Sequence, residues 1–163
     1  MLKDEVLLAW WSLSSIQGIG SIALNKIREQ LPSCSALAEC SAQDLIALGL
    51  KPDLANTWQQ ANASSENLTP FVLAGWKKIQ TWCQQPNCGV LTPDDEAYPK
   101  ALSALRDAPI LLFYRGNPQV LNEPSIAIVG SRNPSYYGRE QAFTIAQQLV
   151  MSDLHVISGL AIG

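Results

Sequence analysis

Histidine is nearly absent from this sequence: there is one, His155, in 163 residues. Four cysteines (Cys34, Cys40, Cys83, Cys88) and that remote histidine do not make up a zinc ligand set, so the cysteines read as buried, reduced thiols. No Gly-x-Gly-x-x-Gly fingerprint and no Gly-x-x-x-x-Gly-Lys-Ser/Thr loop occur, which removes the usual dinucleotide and triphosphate cradles. Long apolar runs are missing too. The five residues Ile110-Leu-Leu-Phe-Tyr114 are far too short to cross a bilayer, and the start, Met1-Leu-Lys-Asp-Glu5, has no signal-peptide layout. The chain is therefore expected to be cytoplasmic, with no membrane partner. Charged residues make up only 15%, with a net charge of −3, which argues against a protein that holds nucleic acid over its whole surface. Any such site has to be local. Acids outnumber bases up to Gly75, whereas Lys100, Arg106, Arg115, Arg132 and Arg139 make the later part slightly basic.

An apolar share of 47% excludes a disordered chain and is enough for a packed core. The organising stretch is Ile126-Ala-Ile-Val-Gly-Ser-Arg-Asn-Pro-Ser-Tyr-Tyr-Gly138. Ile126, Ile128 and Val129, set between Pro124 and Gly130, predict a buried parallel strand. Gly130 then lets backbone approach a ligand, Ser131 supplies a hydroxyl, Arg132 supplies a planar fork of donors, and a helix begins. Those groups together describe an anion site.

Ahead of it the sequence is helical. A first helix is expected over 4–13, with Leu7, Leu8 and Trp11 on one face and acids in its first turn. Ile16-Gln-Gly-Ile-Gly20 turns the chain into a second helix with Ser21 as its cap, ended by Pro32. Gly18, Gly20 and Lys26, with Arg28 a little further on, form either a tight helix connection or a secondary phosphate contact. Ser41-Ala-Gln-Asp44 is a capping-box variant, Gly49 suits a helix end and Pro52 a helix start. A helix from Pro70 toward Gln85 places Trp76, Ile79, Trp82 and Cys83 on one face, as core more than as a platform for bases. Val90-Leu-Thr92 is a short strand candidate, Asp94-Asp-Glu96 a solvated turn, and residues 110–114 a buried strand.

After Tyr137, the residues Ala142, Ile145, Ala146, Leu149 and Val150 trace the stripe of a helix that packs on a sheet, and His155-Val-Ile-Ser158 supplies the next strand. Strand, helix and strand make a βαβ unit, whose right-handed crossover brings Gly130-Ser-Arg132 and Ser158-Gly159 to one sheet edge. His155 begins that buried strand, where a structural role outweighs general-base work. With one crossover helix and an end inside a second glycine-rich loop, the sequence reads as a fragment or an early-terminated version of a longer protein.

Tyr98-Pro99, Leu102, the run Ala108-Pro-Ile-Leu-Leu-Phe-Tyr-Arg-Gly-Asn117, Ile126-Ala-Ile-Val-Gly-Ser-Arg132, Tyr137-Gly138 and Ser158-Gly-Leu-Ala-Ile-Gly163 occur in an order that resembles the DNA-processing protein A family, DprA or Smf. The resemblance implies an α/β chain: a small helical domain at 1–70, similar to sterile-alpha-motif or helix-hairpin-helix modules, a helix and connection at 71–97, and the first part of a Rossmann-like parallel sheet at 98–163. It implies a non-catalytic protein without cofactor or metal, whose partners are single-stranded DNA, the recombinase RecA and, in the family's full length, a second copy. DNA contact would fall to Gly130, Ser131, Arg132, Ser158 and Gly159. A Rossmann-like nucleotide-binding or nucleotide-processing enzyme is the alternative, since fold does not fix function.

Overall fold

The structure, a computed structural model, describes residues 2–62 and 68–159. It is an α/β chain dominated by helices, in two compact units, Met1–Pro118 and Gln119–Gly163.

The first unit opens with α1 (Leu2–Ser14), α2 (Ser21–Gln30), a 3-10 turn (Cys34–Glu39), α3 (Ala42–Ala47) and α4 (Pro52–Asn62). Then follow α5 (Pro70–Cys83), β1 (Cys88–Leu91), α6 (Lys100–Ser103) and β2 (Leu112–Arg115). Local signals account for the boundaries. Ser41 and Asp44 close a reciprocal capping box at α3, and Thr69 caps α5 ahead of Pro70. Gly49 takes φ of 93° after α3, a conformation that suits glycine. At α2 the cap is Gly20, with no side-chain bond, and Ser21 is already the first helical residue.

Tryptophan organises this unit. Trp10 and Trp58 are buried with Leu13, Leu37, Leu45 and Ile110. Four of the five tryptophans donate their indole N–H to backbone carbonyls: Trp10 to Cys34, Trp11 to Val72, Trp58 to Ala9 and Trp82 to Gly89, at 2.9–3.2 Å. The stripe on α5 is core at Trp76 and Ile79, whereas Cys83 at its end is exposed. Asn25, barely exposed, donates to Ser21 and to Ala108 O at 2.9 and 2.8 Å, which joins α2 to the segment ahead of β2.

Several expectations are corrected here. Residues 110–114 do not form a buried strand of a parallel sheet: β2 pairs antiparallel with β1, Leu91 opposite Leu112 and Cys88 opposite Arg115, and alternates partly buried with exposed. One covered face gives that alternation. The acids at 94–96 are not a merely solvated turn. Asp94 accepts from the Cys34 amide and pairs with Arg28 at 3.1 Å, while Asp95 accepts from Thr92 and pairs with Lys3 at 3.3 Å. Of the cysteines only Cys34 is buried. Burial, with the Asp94 carboxylate beside it, pushes its thiol up to about 11.

The second unit holds a 3-10 turn (Pro118–Asn122 at its border), β3 (Ser125–Ala127), α7 (Tyr136–Met151) and β4 (His155–Ile157). β3 and β4 are parallel, Ser125 opposite His155 and Ala127 opposite Ile157, as a βαβ unit requires. The strand at Ile126 is parallel but not buried: Ile126 and Val129 are exposed, as are Ile145 and Val150 of α7. A parallel pair is covered by helices on both faces, and α7 is the one α-helix among the described residues of this unit. His155 is exposed, not buried. The compact division after Pro118 groups residues 98–118 with the helices.

Two outcomes test this packing. A methyl group at Gly75 would overlap the Trp11 indole, which its bond to Val72 holds in place. Overpacking at about 1–3 kcal/mol exceeds the helix-propensity gain of about 1 kcal/mol, so Gly75→Ala lowers the urea midpoint. For Asp94, burial pushes the carboxyl up, but the Cys34 amide and the Arg28 guanidinium outweigh it and hold it below the usual range. A depressed folded pKa stabilises above the unfolded value, about 3.9, and that contribution is lost as pH falls through the folded pKa. The stability gap between wild type and Asp94→Asn, followed by denaturant titration, therefore closes below about pH 4.

Candidate functional site

The βαβ unit sets two loops side by side. One residue past β3, the Ile128 amide still donates to Ile157 O at 2.9 Å, and at the other end of the pair the His155 amide donates to Pro124 O at 3.0 Å. The ladder thus runs to the C-terminal ends of both strands, and the segments that leave it there are 129–135 and the one beginning at Ser158. In parallel α/β sheets ligands gather at this end.

Gly130, Ser131 and Arg132 are all exposed, as are Ser158 and Gly159. Nothing lies within 4 Å of a Cβ built at Gly130, so the space beside it is open. Ser131 Oγ accepts the Asn133 amide at 3.2 Å, which folds the loop on itself and leaves the hydroxyl proton to donate elsewhere. Arg132 is in no ion pair among the described residues, whereas Lys3 pairs with Asp95 and Arg28 with Asp94. Ser135 sits in the extended region (φ −67°, ψ 160°) and its Oγ accepts the Gly138 amide at 3.1 Å, an N-cap that ends the loop and starts α7. The remainder of the second loop, 160–163, lies outside the described residues.

The secondary group is only partly assembled. Gly20 and exposed Lys26 line a groove of about 690 Å³ with Ile22, Gln30, Gly49 and Leu50. Gly18, with φ of 96°, turns the chain but does not line that groove. Arg28, expected near Lys26, is committed to Asp94. No group of three or more metal-ligating side chains occurs among the described residues. No helix there is long and apolar enough to cross a membrane.

Residues 89–163 match the sequence model of a family described as DNA recombination-mediator protein A. This stretch belongs to the DprA/Smf family. Protein Smf of Escherichia coli (strain K12) is 37% identical over 166 aligned positions, which take in 100% of this chain and 39% of that protein. Protein Smf of Synechocystis is 29% identical over 159 positions, 94% of this chain and 38% of its own length. The DNA processing protein DprA of Streptococcus pneumoniae is 45% identical over 69 positions, 42% of this chain and 24% of the relative. The chain thus spans well under half the length of these relatives. The family match begins inside β1 and runs through β2, β3, α7 and β4, across the division between the compact units.

Three residues beside the loop were not singled out from the sequence. Tyr136 and Tyr137, in the first turn of α7, are among the most exposed aromatic side chains. Their signal was their position directly behind the Gly-Ser-Arg loop. The cap at Ser135 was equally readable from the Pro-Ser step ahead of the helix. Ser135→Ala removes the acceptor for Gly138; a lost cap of about 1 kcal/mol speeds amide exchange at Gly138 about fivefold, read by NMR.

Proposed function

We propose that this chain acts as a single-stranded DNA-binding protein of the DprA type, one that protects incoming DNA and helps load RecA in natural transformation and recombination. The observation that carries the proposal is the exposed Arg132, unpaired among the described residues, at the C-terminal edge of a parallel βαβ unit, inside the region that matches the DprA/Smf family. In this reading Arg132 makes a forked, charge-assisted contact to a DNA phosphate, and Ser131 adds a donor from its hydroxyl. Gly130 leaves room for the backbone of the strand, while Ser158 and Gly159 form the opposite wall. These groups position a strand without reading its sequence.

The same reading takes residues 1–70 as a sterile-alpha-motif-like or helix-hairpin-helix-like domain, 71–97 as a connection and 98–163 as Rossmann-like. Gly20 and Lys26, in their groove, are a secondary contact for the strand, with Gly18 shaping the turn ahead of it. RecA and a second copy of the chain are partners proposed for the protein as a whole, in the cytoplasm, and no described residue is assigned to them. No catalytic residue, cofactor or metal is assigned either.

The decisive measurement is the salt dependence of binding of a labelled single-stranded oligonucleotide. One phosphate contact adds about 0.7 to the slope of log K against log salt on a single strand. Arg132→Ala is expected to weaken binding and to flatten that slope by about this amount. Equal affinity and equal slope in the two proteins would remove Arg132 from the site.

A further inference from the structure

Aromatic side chains can hold a single strand by stacking on its bases, and the tryptophans are already committed to the fold. Trp10, Trp58 and Trp76 are buried, and the indoles of Trp11 and Trp82 are tied to backbone carbonyls. In the second unit the aromatic residues are placed differently. Tyr136 is 80% exposed and Tyr137 71% exposed, at the first two positions of α7, four and five residues after Arg132. One helical turn on stands Arg139, and a second turn on stands Phe143, 64% exposed. Tyr136, Arg139 and Phe143 fall at i, i+3 and i+7, so they share one side of the helix over about 10 Å.

Exposure alone would describe any uncovered helix. Two further observations select the occupant. Between Ser125 and Ser152 the sequence carries two arginines, Arg132 and Arg139, against one acid, Glu140, in a chain that is acidic overall. Neither arginine is in an ion pair among the described residues. Cations alternating with exposed aromatic rings suit a ligand that alternates negative phosphates with flat apolar bases. A hydrophobic protein partner has no use for the arginines, and duplex DNA keeps its bases stacked inside.

We propose that Tyr136 and Tyr137 form a base-stacking subsite that continues the strand path from Arg132 onto α7, and that this subsite confers preference for single-stranded over duplex DNA. The proposal rests on the phosphate contact proposed above, and adds to it the part of the ligand recognised beyond the phosphate. Ser135 serves both: its cap to Gly138 fixes the first turn of α7 and hence the rings relative to the loop that carries Arg132. The rings accept any base, so the subsite discriminates strandedness and not sequence.

The test compares wild type, Tyr136→Ala/Tyr137→Ala and Tyr136→Phe/Tyr137→Phe on three probes of equal length: a thymidine oligonucleotide, an abasic oligonucleotide and a duplex. The alanine variant is expected to lose about five- to 150-fold in affinity for the thymidine strand per stacked base, and nothing on the abasic strand or the duplex. The phenylalanine variant is expected to match wild type on all three, because stacking needs the ring and not the hydroxyl. Loss on thymidine and abasic probes alike, or no loss on either, overturns the subsite. Arg132→Ala on the abasic probe reads the phosphate contact separately. If that variant binds the abasic strand as wild type does while the tyrosine variant still loses thymidine affinity, the phosphate contact fails and the stacking subsite stands.

Discussion

Three parallel residue pairs, from Ser125 opposite His155 to Ala127 opposite Ile157, are the constraint on which the candidate site depends. Parallel strands cannot be joined by a tight turn, so a crossover helix must return the chain to the start of the second strand. α7 fills that role, and because the strands are parallel both post-strand loops leave at one end. Everything assigned to ligand contact in this unit lies there: Gly130, Ser131 and Arg132 behind β3, Ser158 and Gly159 behind β4, and the first turn of α7. A register slip by one residue would turn Ile126 and Val156 to the opposite face and displace one loop relative to the other. The site is therefore a property of the pairing before it is a property of any one side chain.

The first unit is held by a different means. Each fully buried tryptophan removes about 150–250 Å² from water, which at about 25 cal/mol per Å² contributes about 4–6 kcal/mol before ordering costs. Trp10 and Trp58 supply that at the centre, with each indole N–H satisfied by a carbonyl. The Arg28–Asp94 pair is about one-third exposed at both partners, so its own Coulomb contribution is small. Its value is geometric. Asp94 joins the Cys34 amide to Arg28, and Asn25 joins α2 to Ala108, so the segment between β1 and β2 is tied to the helices at two points.

How far the sequence was legible follows from which signals are local. Caps are local: Ser41 with Asp44, Thr69 ahead of Pro70, and the glycine at 49 all carry their helix boundaries within four residues. So is the βαβ order, since the apolar period changes from strand to helix and back between Ile126 and Ile157. Burial is not local. The run at 110–114 is apolar throughout, yet β2 alternates, because its single partner β1 leaves one side open. Ile126 and Val129 are equally apolar and exposed. The acids at 94 and 95 resembled a solvated turn since their partners, Cys34, Arg28 and Lys3, lie about sixty to ninety positions away, where no spacing rule reaches. At the site, Arg132 was readable from its glycine-framed loop. Tyr136 and Tyr137 were marked by their position behind that loop, but their exposure was not readable, because a ring ahead of an apolar helix looks the same in sequence whether it packs inward or faces water.

The DNA contact proposed for this acidic chain involves no contradiction once distances are considered. At physiological ionic strength exposed charges are largely screened beyond about 8 Å, so acids remote from the loop neither repel a strand there nor cancel Arg132. The same screening limits what Arg132 and Arg139 can contribute. Even if both arginines contacted phosphate, few counterions would be released, and a salt slope near 1.4 on a single strand would leave most of a useful affinity to come from elsewhere. Stacking is the available source in this unit, since it is insensitive to salt and each base offers a face. On the proposed reading, the balance between two arginines and two exposed tyrosines would separate this site from basic clefts that hold duplex by charge alone: a strand would be retained only where its bases are free to leave their own stack.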